Sequence, residues 1–400
     1  MPITINIPKP ANCAECGMEA VNHRAERFNL LIEALLSPIN NAIGFLSRPL
    51  QSVIDTIINT AGPWAIGLAI KLGLGIAINN PDEHTTESER ALWYEAVRRG
   101  ITMREFRLFG LPRHIFVAHH GGRKVVFEKV PLPTRNSATL TWIDDKAKMK
   151  GKFLAKNFPI ARGGKFRDLE KPVIVKPQFG SGGRHTTVGI TTETQLDKAI
   201  TIAKQISPWV VVEEQLVGPV YRATLINRKL AAVLRRDPAH VIGDGIHTIK
   251  ALVEEENKNP LRAGPVFAPI IVPSTIDEYL IPAYGEITYL NWKVNWGVGG
   301  TSRDATAEVH RDNKKLFEDV AEYLDDVFIG IDFMISDISH SWRETSRCGI
   351  IECNSMPFIG NHHYPYTGPV VNVAGMIWDL VLPEAKISDH LDNYLDIRSK

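Results

Sequence analysis

The stretch Val173-Ile174-Val175-Lys176-Pro177-Gln178-Phe179-Gly180-Ser181-Gly182-Gly183-Arg184-His185-Thr186-Thr187-Val188-Gly189-Ile190 organises the chain. A β-branched run ends in a lysine, a glycine-rich loop follows, and a second β-branched run leaves it. This pattern predicts two strands joined by a turn. Gly180, Gly182 and Gly183 leave backbone N–H groups open to an anion, and Lys176 sets a cation beside them. A Walker loop is excluded because the lysine precedes the glycines and no helix opens after them. A dinucleotide fingerprint is excluded because Val188-Gly189-Ile190 continues as strand. On its own such a hairpin is more often an ordinary turn, so the rest of the chain has to decide.

Four hundred residues, 44% of them hydrophobic, are enough for a sizeable core and predict two or three subdomains. The 46 basic and 45 acidic residues nearly cancel, which argues against a general nucleic-acid surface. Cys13 and Cys16 form a lone C-x-x-C near His23, with no second pair at zinc-finger spacing. A redox pair or incidental thiols account for them more simply than zinc. No secretory signal is expected from the polar start, and the expected compartment is the cytoplasm.

Between Phe28 and Ile78 apolar residues recur at helical spacing, punctuated by Pro38, Pro49 and Pro63. Residues 61–78 are long enough for a short membrane span. Lys71 inside them is costly in lipid, so a buried helical pair or a partner surface is favoured over membrane contact. Further on, Ala91–Gly100 reads as a helix, and residues 116–127 as a hairpin tipped by Gly121-Gly122. A lysine-rich helix follows over residues 144–157. Thr192 and Gln195 predict a capping box for the next helix. Trp209–Val212 reads as a buried strand entering Glu213-Glu214-Gln215. Tyr221–Ile226 and Leu230–Leu234 read as a hairpin, Asn291–Thr306 as a mobile loop, and Asp312 as the cap of a helix burying Leu316, Val320 and Leu324.

Two later strands carry acids. Ile329–Ile335 holds Asp332 among apolar residues, and Gly349–Asn354 presents Glu352 and Asn354 on one face by alternation. A carboxylate in an apolar strand is expensive unless it is paired or bound to a cation. If the two strands are neighbours, Asp332, Glu352 and Asn354 converge as hard oxygen ligands suited to Mg²⁺. A simple pairing with lysine or arginine would serve equally well.

The ordered set over roughly residues 91–383 resembles the ATP-grasp ligases, and more closely the ATP-grasp domain of cyanophycin synthetases and bifunctional glutathione synthetases. The series runs from Asp145-Lys146 through the glycine hairpin, Val211-Val212-Glu213, Tyr221-Arg222, Arg235-Arg236-Asp237-Pro238 and Gly243-Asp244-Gly245. It continues through Gly299-Gly300-Thr301 and Gly330-Ile331-Asp332 to Ile351-Glu352-Cys353-Asn354.

The resemblance implies an α+β fold of two subdomains clamping ATP, about 141–215 and 216–385 within a domain over 91–385. A helical, apolar region over 1–90 precedes it, and a tail over 386–400 follows. It implies that Lys146 and Lys176 contact phosphates under a loop of Gly180, Ser181, Gly182, Gly183 and Arg184. Glu213, Glu214, Gln215 and Leu216 would hold adenine, and Asp332, Glu352 and Asn354 would hold two Mg²⁺ ions. Arg222 and Arg235 would stabilise an acyl phosphate, with Arg236 able to replace Arg235.

The implied activity joins a small-molecule or peptide carboxylate to an amine. An inactive ATP-binding scaffold or sensor is the alternative, and a related kinase or carboxylase a more distant one. Such relatives often dimerise, although no heptad or interface stripe is visible. Val220 and Phe358 depart from the pattern, near the ribose and after the E-x-N signature. No Mur-ligase-like or glutamate–cysteine ligase part is seen, so a complete bifunctional enzyme is not expected. His362 and His363 are equally readable as substrate-facing or packed.

Overall fold

The computed structural model describes residues 22–32, 35–36, 51–80, 86–108, 114–133, 142–143, 145–180, 182–263 and 266–386. The Cys13–Cys16 pair, Pro38, Pro49, Asp144, Ser181 and residues 387–400 lie outside these. In chain order, helix α1 (Gln51–Lys71) leads to strand β1 (Gly75–Ile78), α2 (Glu87–Arg98), β2 (Thr102–Leu108), β3 (His114–His120) and β4 (Arg123–Phe127). Helix α3 (Lys146–Leu154), β5 (Val173–Pro177), β6 (Thr187–Ile190), α4 (Glu193–Ala203) and β7 (Val210–Glu214) follow. Then come β8 (Val220–Ile226), β9 (Lys229–Asp237), β10 (His240–Ile242), α5 (Ile249–Glu256), α6 (Pro260–Ala263), β11 (Ile287–Tyr289) and β12 (Thr301–Asp304). The series ends with α7 (Arg311–Leu324), β13 (Phe328–Met334), β14 (Gly349–Ser355), α8 (Gly360–His363) and α9 (Val373–Val381).

The strands form a four-stranded sheet β1-β2-β3-β4, a three-stranded sheet β6-β5-β7, a five-stranded sheet β12-β9-β8-β13-β14 and a pair β10-β11. All their named pairings are antiparallel. Alternation divides each sheet into a core face and a second face. In the three-stranded sheet Val173 and Val175 join Ile190 and, from α4, Leu196, Ala199 and Ala203 in one core. In the five-stranded sheet Tyr221, Ala223, Val233, Ile331 and Phe333 pack with Leu316, Val320 and Leu324 of α7. A third core joins α2, α9 and the four-stranded sheet through Leu92, Trp93, Phe116, Phe127 and Trp378, and takes in Ile226 and Phe328 from the five-stranded sheet. Each fully buried side chain of this kind stabilises the fold by roughly 1.5–3 kcal/mol.

Helix starts follow their sequence signals. Thr192 and Gln195 close the expected capping box on α4, and Thr86 and Glu89 close another on α2. Four expectations are corrected. Asp312 is not the cap of α7: the His310 ring nitrogen accepts the Asp312 N–H at 3.2 Å, and the Asp312 carboxylate instead takes the Ser341 hydroxyl. Pro63 does not divide helices but lies inside α1, which is held against β4 by the Val126 N–H donating to Asn59 at 2.8 Å. Val210, Val211 and Val212 are half-buried rather than buried, because β7 edges its sheet. Residues 291–306 are not a plain loop. They hold a 3₁₀ turn, Trp296–Val298, and the edge strand β12. There the glycines serve close approach, since a Cβ on Gly300 would sit 2.8 Å from the Asn295 carbonyl. Among the described residues no helix is long and apolar enough to cross a membrane.

Candidate active site

A cavity of about 810 Å³ lies between the three-stranded and five-stranded sheets, within the usual range for a small-molecule site. Its acidic wall is a product of register. β13 pairs with β8 and β14 so that Arg222, Asp332 and Glu352 stand in one row on one face. Asn354, two residues along β14, donates to Glu352 Oε1 at 3.3 Å. Arg222 grips Asp332 through two N–H groups, Nη2 donating to Oδ2 at 2.9 Å. Arg236 Nη1 lies 3.6 Å from the same carboxylate.

Burial opposes charge on Asp332, but the Arg222 guanidinium outweighs it and holds the carboxyl at about 2. Burial, and then the Asp332 carboxylate, push Glu352 up. Two facing carboxylates with an amide beside them are a donor set that a divalent cation satisfies. Among the described residues no group of three His, Cys, Asp or Glu side chains converges. A cation held here would take two carboxylates and an amide from the protein, a set that would suit Mg²⁺, an ion that keeps waters and takes phosphate oxygens. Arg236 Nε is buried without a hydrogen-bond partner among the described residues, so a donor remains for an anion in the cavity.

The opposite wall is basic. On β5 and β7 the face away from the core carries Lys176 and Glu213, whose side chains form an ion pair. Asp145 caps α3 through the Ala147 and Lys148 N–H groups and accepts from Gln178 Nε2 at 2.9 Å. This fixes the first turn of α3 beside the glycine loop, where Lys146 donates to the Gly180 carbonyl. Gly180, Gly182 and Gly183 all have positive φ, at 118°, 67° and 66°. The loop also meets residues 292–295, since a Cβ on Gly183 would lie 3.2 Å from the Trp292 ring.

Of the residues expected from the sequence, Lys146, Lys176, Gly180, Gly182, Gly183, Arg184, Glu213, Glu214, Gln215, Leu216, Arg222, Asp332, Glu352 and Asn354 all line this one cavity. Glu213 points its carboxylate at lysines, Glu214 accepts the Glu170 N–H at 3.0 Å, and Gln215 accepts the Gly189 N–H at 2.7 Å. Arg235 is placed elsewhere. It opposes Tyr221 on β8 and pairs with Asp237, while Arg236 lines the cavity. Val220 and Phe358, the two departures, both reach the cavity wall, as do Trp292, Lys293 and Asn295. Asn295 belongs to the Asn291-x-x-x-Asn295 part of the resemblance, whereas Trp292 and Lys293 carried no signal beyond their place in the 291–306 segment.

His362 and His363 are packed rather than open to a substrate. His362 Nε2 lies 2.7 Å from the Thr224 hydroxyl, and His363 Nε2 accepts the Ala374 N–H at 3.0 Å. Burial lowers their pKa values to about 3 and about 4.

No protein-family model matches the chain. Its sequence is 33% identical over 262 residues to the cyanophycin synthetase of Trichormus variabilis, covering 60% of this chain and 29% of that protein. It is 28% identical over 321 residues to the glutathione biosynthesis bifunctional protein of Clostridium perfringens, covering 74% of this chain and 41% of that one. The chain thus spans less than half the length of these relatives. The crystal structure of a bifunctional glutathione synthetase from Pasteurella multocida superposes with a TM-score of 0.55 at 23% identity, covering 74% of this chain and 43% of that one. The chain is thus similar in sequence to part of the cyanophycin synthetases and bifunctional glutathione synthetases, and it has the ATP-grasp fold that it shares with the Pasteurella multocida glutathione synthetase.

Proposed function

We propose that the chain is an ATP-dependent, ADP-forming ligase that joins a carboxylate to an amine, acting on an amino acid or peptide. The observation that carries this reading is the meeting, in one cavity, of Lys146, Lys176 and a positive-φ glycine loop with Asp332, Glu352 and Asn354. The first set suits phosphates, and the second suits the cation that accompanies them. The relatives named as cyanophycin and glutathione synthetases support peptide-type bond formation.

In this reading Lys146 and Lys176 hold the polyphosphate, and the glycine loop covers it with backbone N–H groups. Leu216 and its neighbours flank the base. Asp332, Glu352 and Asn354 would hold Mg²⁺, one or two ions, which supplies charge neutralisation on the transferring phosphoryl group. The carboxylate substrate attacks the γ-phosphorus, giving an acyl phosphate and ADP. The amine then attacks the acyl carbon and phosphate leaves. Arg236 and Arg222 stand where they would steady the charge that develops, and the loop together with Trp292 would keep water from the acyl phosphate.

One observation favours a second reading, an ATP-binding protein without turnover: both oxygens of Asp332 are already engaged by Arg222. The two separate by experiment. ADP release with Mg²⁺ and ATP is measured across amino acids and dipeptides, with Lys176→Ala beside the wild type and ATP affinity measured by calorimetry. Acceptor-dependent ADP release, lost in Lys176→Ala, is the expected result. ATP binding with no ADP release from any pair favours the second reading, and absence of ATP binding overturns both.

A further inference from the structure

Lys150 lies one helical turn beyond Lys146 on α3, so the two side chains leave the same face of the helix. Lys146 lines the cavity and Lys150 does not. Lys150 is nevertheless 7% exposed, against 4% for Lys176 and 3% for Glu213. Its ammonium pairs with one oxygen of the Glu213 carboxylate while Lys176 pairs with the other. The carboxylate is therefore shared between a lysine facing the cavity and a lysine behind it.

Charge counting gives this arrangement a purpose. Lys176 and Glu213 alone sum to zero, and a neutral pair offers little to a phosphate. Lys150 returns the group to a net charge of +1, in surroundings where burial leaves Coulomb interactions poorly screened. Burial, and then Lys176, lower the Lys150 ammonium to about 8 against the pull of Glu213, so at neutral pH it is still protonated. Burial opposes ionisation of Glu213, but Lys176 and Lys150 outweigh it and keep the carboxylate charged.

We propose that Lys150 is a positioning residue that neutralises Glu213 from behind the cavity, leaving the positive charge of Lys176 to a polyphosphate within it. The inference rests on the nucleotide reading of this site and extends it to a residue outside the cavity.

Calorimetric binding of MgATP, adenosine and inorganic tripolyphosphate to the full chain tests it. Lys150→Met is expected to weaken MgATP and tripolyphosphate by about tenfold, with adenosine unchanged. Lys150→Arg keeps the charge and is expected to retain wild-type binding. The double variant Lys150→Met with Glu213→Gln restores the charge count, and should recover most of the tripolyphosphate affinity. A structural role alone would leave the double variant as weak as Lys150→Met or weaker, and that result overturns the inference, as does wild-type binding by Lys150→Met. If Lys150→Met does not fold, Glu213→Gln alone carries the test. It leaves two uncompensated lysines and should bind tripolyphosphate more tightly at low salt, so unchanged or weaker binding overturns the proposal. A wild-type chain that binds neither nucleotide nor tripolyphosphate overturns the nucleotide reading and this inference with it.

Discussion

Arg222 shows how much a single contact decides. Its guanidinium faces Asp332 in the interior, with both oxygens of the carboxylate held. Removing one partner of a buried pair leaves the other charge stranded, so Arg222→Met is expected to cost about 3–5 kcal/mol. Urea denaturation measures this, and a loss well under 1 kcal/mol would show that Arg236 or Glu352 compensates. His362 and His363 make a second case. Both are neutral in the fold, at about 3 and about 4, while in the unfolded chain each takes a proton near its ordinary value. Below about pH 6.5 the unfolded chain binds more protons, so stability is lost progressively as pH falls toward 4. His363→Gln, whose side-chain carbonyl replaces the acceptor for the Ala374 N–H, should flatten that acid limb. Equal stability losses between pH 7 and pH 5 in variant and wild type would refute the assignment.

At the scale of elements, the glycine loop and the 291–306 segment act together. Gly183 needs its positive φ and sits against Trp292. An alanine there costs roughly 1–2 kcal/mol in backbone strain and forces the indole aside. Gly183→Ala is therefore expected to weaken ATP binding by on the order of tenfold and, through the same strain, to lower the thermal midpoint by about 2–4 °C. Tight ATP binding by this variant would mean that the two loops part before nucleotide enters. The hairpin β8–β9 teaches a different lesson. Its pairing shifts between Thr224 and Leu225, so Val220 opposes Arg236 rather than Arg235. A bulge of one residue exchanges the two faces of everything beyond it. Without it, Arg235 would have shared the face of Arg222. Adjacent arginines in a strand cannot be told apart by residue type, and the shift that chooses between them leaves no composition signal.

Across the whole molecule, the strand that carries Asp332 is rooted in packing far from the cavity. Trp378 of α9 donates its indole N–H to the Leu92 carbonyl at 3.0 Å, within the core that also takes in Phe328, the first residue of β13. Trp378→Ala should lower stability by about 3–5 kcal/mol, measurable by guanidinium unfolding. Because β13 carries Asp332, Mg²⁺-dependent ATP affinity should fall as well. Unaltered ATP affinity in the folded variant would show that this core supports the fold and not the site. The exposed apolar residues of α1, among them Ile57, Trp64 and Leu68, belong to none of these cores.

The sequence by itself determined most of the strands that line the cavity and the shared face of Glu352 and Asn354. β-branched runs ending at Lys176, Asp332 and Glu352, glycines where the backbone must turn left-handed, and capping residues before helices are local signals, and local sterics enforce them. The fold and the phosphate, adenine and metal residues of the cavity needed more than these local signals: the ordered series of motifs that resembles the ATP-grasp ligases implied them. Tertiary structure alone decided which of two adjacent arginines faces the cavity, that Lys150 stands behind Glu213, that Arg222 holds Asp332, and that two histidines are packed away. Each of these depends on strand register or on an approach between residues distant in the chain. Such distances follow from how finished elements pack, and no local preference encodes them.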